Sequence, residues 1–312
     1  MPETCTAITS PITGTTAVVV EEELNAQTVI DRYAREYNID VAHYFARLNS
    51  IKICRCLETG YRFYYPFSLI GQSELYHQLQ DYPWYYADWK WEYQIAAEVI
   101  QANQKVLEIG CGRGKFLKFL QNQGAVCVGC ELNDDAVLVA KANGLEVRKQ
   151  TIQDLSRTQA ALYDVVCSFQ VLEHVVEVQS FLQAAIAALK PGGKLIVGVP
   201  NSNPFLYEHD KYDTLNLPPH HMGLWRSEAL SNLAPVFNLK VDNIYTEPLH
   251  PADYERYLRL KLAHLPSSAE LLVPLLEFIL LKLRPYRLRS RLQRWSIGSA
   301  PGRNLVAVYT KL

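Results

Sequence analysis

Between Val106 and Gly114 the chain reads Val-Leu-Glu-Ile-Gly-Cys-Gly-Arg-Gly. An apolar run that ends in an acid and breaks into alternating glycines is how a buried parallel strand leaves a sheet, turns, and starts a helix beside a ligand. Val106, Leu107 and Ile109 suit a strand buried on both faces. Gly110, Gly112 and Gly114 let the backbone take unusual angles and let a ligand lie against it. A second strand, Ala125 to Glu131, ends in another acid. A carboxylate there can accept both hydroxyls of a ribose. Such an acid also serves nicotinamide cofactors, and its plain alternative is a solvated strand end. A dinucleotide needs G-x-G-x-x-G/A, and that pattern fails because Lys115 stands three positions after Gly112. What remains is Glu-x-Gly-x-Gly-x-Gly, Glu108 to Gly114.

Two histidines offer different chemistry. His220 and His221 follow Pro218-Pro219 in a loop beyond the fifth strand, with Trp225 just after. Ligands bind in loops at the carboxyl ends of parallel strands. Imidazole exchanges a proton near neutral pH, so this pair is the candidate for acid–base catalysis. The competing reading is that one or both cap the helix near Arg226 to Leu233 or bond to backbone.

The glycine turn resembles motif I of the class I S-adenosylmethionine-dependent methyltransferases, and further segments extend the likeness in order. Tyr163 to Phe169 reads as a fourth strand leading into Gln170-Val171-Leu172-Glu173-His174-Val175, which is similar to the V-L-E-H-V segment of the ubiquinone-biosynthesis O-methyltransferase group. Leu189-Lys190-Pro191-Gly192-Gly193-Lys194-Leu195 is similar to that group's L-K-P-G-G-x-L, a helix stop before a fifth strand. The Pro-Pro-His-His segment resembles the substrate loop of several ubiquinone-type relatives. The resemblance covers residues 92–246 and 303–311. It implies an α/β, Rossmann-like fold: a seven-stranded, mostly parallel sheet in the order 3-2-1-4-5-7-6 with helices on both faces. Leu239 to Tyr245 is then the sixth strand and Asn304 to Tyr309 an antiparallel seventh. It also implies S-adenosylmethionine as cofactor, held by Glu108, Gly110, Cys111, Gly112, Gly114, Glu131, Leu132, Phe169, Gln170 and His174. Many relatives carry an acid beside the adenine after the third strand, near Glu146 to Arg148. Here Thr151 takes that register and Asp154 lies beyond, so Thr151, Ile152 or Gln153 is expected to line the adenine through backbone and apolar contacts, with Asp154 alternatively capping the next turn.

Around this core, residues 1–28 are polar and read as a tail. Residues 29–91 form an extension: a helix from Gln27 to Asn49, a hairpin from Ile51 to Phe67, and an aromatic segment with Tyr82, Trp84, Tyr85, Tyr86, Trp89, Trp91 and Tyr93. That segment is either helix packed over the sheet or a lid over cofactor and acceptor. Cys56-Leu57-Glu58-Thr59-Gly60 resembles half of a zinc ribbon whose second cysteine has become Thr59. A structural zinc needs about four ligands, and with no second cysteine pair nearby no metal is expected; Cys54 and Cys56 read as small packing residues. Cys127 and Cys130 lie three apart in a strand and face opposite sides, which argues against a redox pair.

Residues 247–302 form a helical insertion before the last strand. Within residues 271–294 an apolar stretch precedes Arg284, Arg287, Arg289, Arg291 and Arg294. This is either an insertion packed on its own core or a peripheral contact with anionic membrane. The 312 residues carry a net charge of -1, so no overall field favours nucleic acid. Seven scattered cysteines, no secretory pattern from Met1 to Gly14, and no apolar run of ~20 residues suggest a cytoplasmic protein. The expected activity is methyl transfer to a small-molecule acceptor, with oxygen, nitrogen and carbon all open. The alternatives are a methyltransferase acting on protein or tRNA, a non-catalytic cofactor-binding module, and, less favoured, a nicotinamide oxidoreductase.

Overall fold

The computed structural model describes residues 7–82, 85, 89–202, 213–263, 273–279 and 300–312. Trp84 and Tyr86 of the aromatic segment lie outside the described residues, as do the arginines from 284 to 294.

The larger sheet is built from apolar strands joined by helices. Its parallel part comprises β4 (Lys105–Ile109), β5 (Val126–Cys130), β6 (Glu146–Arg148), β7 (Tyr163–Phe169) and β8 (Leu189–Pro200). The connecting helices are α4 (Lys115–Asn122), α5 (Asp134–Ala142), α6 (Ile152–Thr158) and α7 (Val178–Ala188); α3 (Trp91–Val99) precedes β4. Parallel strands need such crossovers, and covering both faces explains the unbroken Val, Leu and Ile runs. Two antiparallel strands complete the sheet: β10 (Leu239–Pro248) at the edge and β11 (Pro301–Lys311) between it and β8. The observed order is β10-β11-β8-β7-β4-β5-β6. Counted from β4 as the first strand, this is 6-7-5-4-1-2-3, the expected order read from the other edge. Cys127 packs on one face of the sheet and Cys130 on the other.

A second, four-stranded antiparallel sheet corrects the reading of the N-terminus. Its order is β1-β2-β3-β9, with β1 at Val18–Asn25, β2 at Ser50–Cys56, β3 at Arg62–Tyr65 and β9 at Gly223–Leu224. β2 and β3 are the expected hairpin. Residues 7–28, however, are not a tail. β1 pairs with β2 from Val18↔Cys56 to Asn25↔Ser50, interrupted by an irregularity between Val20 and Glu22. Ile12 is fully buried in the main apolar cluster, and the Gln179 amide donates to Pro11 O at 2.9 Å. The Val-Val-Val-Glu-Glu-Glu run hid this strand because an edge strand with a bulge loses the clean alternation of a half-buried one. Glu21 holds it by accepting from Arg55 Nε at 2.5 Å and Arg62 Nε at 2.7 Å. The helix expected from Gln27 is α1, Ala26–Tyr37, with the Asn25 side chain capping its first amides and Asn38 in the left-handed region closing it.

The extension is not set apart from the larger sheet. Cys54, Cys56, Tyr61 and Phe63 share a core cluster with Leu107, Val166, Leu182 and Val199. α1 packs with Leu217, Met222 and Leu224 in a second cluster. β10 runs on to Pro248 and β11 begins at Pro301, so the insertion is shorter than the sequence reading at both ends. Helices at Tyr254–Ala263 and Val273–Glu277 lie within it, and Leu249, Tyr257, Leu258 and Ala300 form a small apolar cluster at its base. Among the described residues no helix is long and apolar enough to cross a membrane.

Candidate functional site

The turn after β4 depends on its glycines. Gly110, Gly112 and Gly114 all have φ in the left-handed region, at 70°, 52° and 76°. A Cβ on Gly110 would stand 2.4 Å from Val171 Cγ2. The Gly110 and Cys111 amides both donate to Cys130 O, at 2.8 and 3.2 Å, tying the turn to the end of β5. Val171 against Gly110 brings the loop after β7 onto the same turn.

Glu131, just past β5, faces this turn. Its Oε2 accepts from the Gly112 amide at 2.9 Å, and its Oε1 accepts from the Leu132 and Asn133 amides at 2.7 and 2.9 Å. The solvated-strand-end reading of Glu131 therefore fails. Leu132 beside it is exposed, as an apolar surface next to a ribose site would be. Glu108 lies beneath the turn, buried, with Oε2 lacking a hydrogen-bond partner among the described residues. Burial pushes its carboxyl well above the usual range.

The remaining predicted contacts are placed as follows. Thr151 caps α6: its Oγ1 accepts from the Asp154 amide at 3.2 Å and donates to the Asp154 carboxylate at 2.8 Å. Ile152 is buried in the core. Phe169 sits edge-on to Tyr93 and Phe116, at 5.3 Å from each. Gln170 has φ 57°, and its side-chain amide donates to Glu92 at 2.7 Å and Asn304 at 3.3 Å. Its side chain is thus engaged by α3 and β11 rather than by the glycine turn. Cys111 is buried, packed beside Gly129, whose added Cβ would lie 2.5 Å from Cys111 Sγ.

His174, His220 and His221 come together, which the spacing did not reveal. The three ring centroids lie 4.5 to 4.9 Å apart. Tyr76 lies edge-on to His174, and Tyr85 is 6.0 Å from His220. The loops are sewn together through backbone: the Met222 amide donates to Glu173 O at 2.8 Å. His174 Nδ1 lies 2.6 Å from His220 O, and His220 Nδ1 lies 2.9 Å from Leu215 O. Bonding to backbone accordingly describes His174 and His220, whereas the helix at Ser227–Ser231 has no side-chain cap. Burial lowers His174 to about 4 and His220 to about 3, and drives His221 well below its ordinary value. Glu173, missed as a site residue, is buried with neither carboxylate oxygen partnered among the described residues, and burial raises it to about 8. His174 Nε2 and Glu173 Oε1 lie 3.8 Å apart. Burial favours the neutral form of both groups, so this proximity is not read as an ion pair. The signal in sequence was adjacency: Glu173 precedes His174 at the carboxyl end of β7.

A family model described as "Methyltransferase domain" matches residues 84–244. The chain belongs to this methyltransferase family. The methyltransferase is 34% identical over 144 residues to a ubiquinone biosynthesis O-methyltransferase of Marinobacter nauticus, covering 42% of this chain and 60% of the relative. To the protein of that name from Xanthomonas axonopodis pv. citri it is 28% identical over 171 residues, covering 53% and 64%. The alignments thus span less than two thirds of these relatives' length. A solved SAM-dependent methyltransferase from Archaeoglobus fulgidus superposes with a TM-score of 0.53 at 16% identity, over 76% of this chain and all of that one, a likeness of fold.

The cofactor of this methyltransferase is S-adenosylmethionine, and the turn fits it. Glycines at 110, 112 and 114 give the turn left-handed backbone angles and let Val171 and Leu145 close against it, and Glu131 presents a carboxylate across it. Glu108 supplies a buried oxygen still lacking a partner. When bound, S-adenosylmethionine supplies an electrophilic methyl on a sulfonium.

Proposed function

We propose that this methyltransferase delivers the methyl group to a hydroxyl oxygen of a small-molecule acceptor, with Glu131 holding the cofactor ribose and His174, His220 and His221 lining the acceptor side. The observation that carries this reading is the meeting of two loops. The loop after β7 reaches the glycine turn through Val171 and the histidine cluster through His174. One short segment therefore spans from cofactor to acceptor. The names of the curated relatives support oxygen as the accepting atom.

Leu132, Thr151 and Ile152 flank the nucleoside on this reading, and Phe169 and Gln170 shape the floor between the two ligands. Cys111 shapes the turn from beneath. The free acid–base role first read for His220 and His221 is modified. Efficient proton transfer wants a pKa near the working pH, and burial has taken both far below it. They orient an acceptor oxygen instead of removing its proton unaided. Tyr85, 6.0 Å from His220, lines the acceptor wall on this reading. Contact with anionic membrane through 271–294 remains a separate proposal. Salt-sensitive co-sedimentation with anionic vesicles supports it, and none removes it. A cytoplasmic setting is likewise proposed.

The test is in two parts. Calorimetry with S-adenosylhomocysteine should show one site per chain. Methyl transfer from radiolabelled S-adenosylmethionine should then favour phenolic and catecholic acceptors over amines. Absence of cofactor binding by folded protein refutes the nucleoside assignment. Preference for amines or for protein or tRNA refutes the acceptor class.

A further inference from the structure

We propose that His174, His220 and His221 form a binding site for a divalent transition-metal cation of the zinc class, with the Glu173 carboxylate as an additional donor. One ligand atom from each histidine lies within 4.8 Å of the others. Nitrogens bound at ~2.0–2.1 Å around a tetrahedral ion stand about 3.3–3.4 Å apart. The cluster therefore needs a contraction of about 1.5 Å at most, within reach of side-chain torsions.

Three features point to ligation and not to ordinary packing. First, the donors are of one kind: imidazole suits zinc, copper, iron and nickel, whereas magnesium and calcium take oxygen. Second, the outer contacts are already set. His174 and His220 each direct Nδ1 at a backbone carbonyl, at 2.6 and 2.9 Å. A carbonyl accepts only from N–H, so in both rings Nδ1 carries the proton and Nε2 has the lone pair; that of His220 accepts from the Tyr85 hydroxyl at 3.4 Å, a bond that a cation would replace. Metal-bound histidines are held in this way, with the second ring nitrogen donating to a carbonyl or carboxylate. Third, Glu173 has two buried oxygens without a hydrogen-bond partner among the described residues, and Oε1 lies 3.8 Å from His174 Nε2. A buried carboxyl left so is costly unless something completes it. A cation bound by the adjacent imidazoles completes it.

The site differs from the zinc ribbon that Cys56 to Gly60 resembles, and it revises the expectation that the chain takes no metal. Its catalytic meaning rests on the reading that the cluster faces the acceptor. With three histidines and Glu173 the tetrahedral set is complete, so an acceptor hydroxyl binds by displacing Glu173 or as a fifth ligand; as a Lewis acid the cation then polarises that hydroxyl and eases loss of its proton to solvent.

The test is metal uptake by full-length protein stripped with chelator, dialysed, and titrated with Zn2+ or Co2+ alone. The expected result is one ion per chain by elemental analysis, and visible ligand-field bands with Co2+. His220→Asn and His221→Asn should weaken uptake by more than the ~10–100-fold typical of losing an outer partner. Glu173→Gln should shift the Co2+ spectrum while leaving detectable binding. S-adenosylhomocysteine calorimetry on the same samples reports folding and keeps the two readings apart. Zinc uptake without nucleoside binding supports the metal site while sinking the nucleoside assignment. Nucleoside binding with no stoichiometric Zn2+ or Co2+ uptake overturns the metal site, as does equal uptake by wild type and both histidine variants.

Discussion

Glu131→Gln probes the nucleoside clasp with the smallest change of shape. The carboxylate accepts on both oxygens: Oε1 from two amides, Leu132 and Asn133, and Oε2 from Gly112. Glutamine has one carbonyl, and two donors outvote one, so the carbonyl takes the Oε1 place. The new NH2 then faces the Gly112 N–H, donor against donor at what was 2.9 Å. The turn loses its tether. An unsatisfied amide costs about 1–3 kcal/mol when buried, and this half-exposed one lies near the lower figure. The ribose loses more, because charge-assisted hydrogen bonds are roughly twice as strong as neutral ones and the second acceptor oxygen is gone. A loss of about 1.5–3 kcal/mol corresponds to about 10–150-fold weaker nucleoside binding. Calorimetry with S-adenosylhomocysteine and a thermal melt of the unliganded protein separate the two effects. Affinity within threefold of wild type, with an unchanged melt, would refute the idea that Glu131 grips both turn and sugar.

Three further outcomes are expected. Gly110→Ala should abolish nucleoside binding and cost about 2–5 kcal/mol, because φ of 70° is unfavourable for alanine and the new Cβ meets Val171 Cγ2 at 2.4 Å; Gly110→Ala/Val171→Ala should recover part of the melting temperature, and no recovery counts against the clash. Ile12→Ala should destabilise by about 2–4 kcal/mol in urea, whereas an unchanged midpoint would show the N-terminal segment to be dispensable. Burial pushes Asp164 up, but the Lys190 ammonium at 2.6 Å and the Lys105 amide outweigh it and hold its carboxyl below the usual carboxylate range. Its folded-state value lies below the unfolded one. It therefore adds stability above about pH 4, lost as pH falls through the folded value. Asp164→Asn should flatten that acid limb, and parallel limbs in wild type and variant would show the pair to be neutral in effect.

The sheet was legible because its strands announce themselves twice, as unbroken apolar runs and as the turns that end them. β7, Tyr163–Phe169, matches the expected span residue for residue. β1 was not legible, since one residue out of register erased its alternation and a triple acid passed for solvated chain. In the site, the elements that position cofactor groups are local: Gly110 to Gly114 is one turn, and Glu131 ends the neighbouring strand. The histidine cluster is not local. His174 and His220 lie 46 positions apart and meet only through tertiary bonds. Nothing in the spacing marks Glu173 as buried, and a Glu-His pair on a loop ordinarily reads as solvated. Gln170 was read as a ligand contact from its place after β7. Its side chain also ties α3 to β11 through Glu92 and Asn304, a joint that no one-dimensional pattern connects.

The two-residue strand β9 carries a consequence for how such a protein diversifies. Gly223 and Leu224, one residue beyond the histidine pair, pair with β3 in the N-terminal sheet. On the proposed reading the donor-side groups, Gly110 to Gly114 and Glu131, sit at strands of the seven-stranded sheet, whereas the histidine wall opposite is bonded to both sheets. Exchange or drift of the first hundred residues can therefore retool which molecule is modified, while the source of the methyl stays the same.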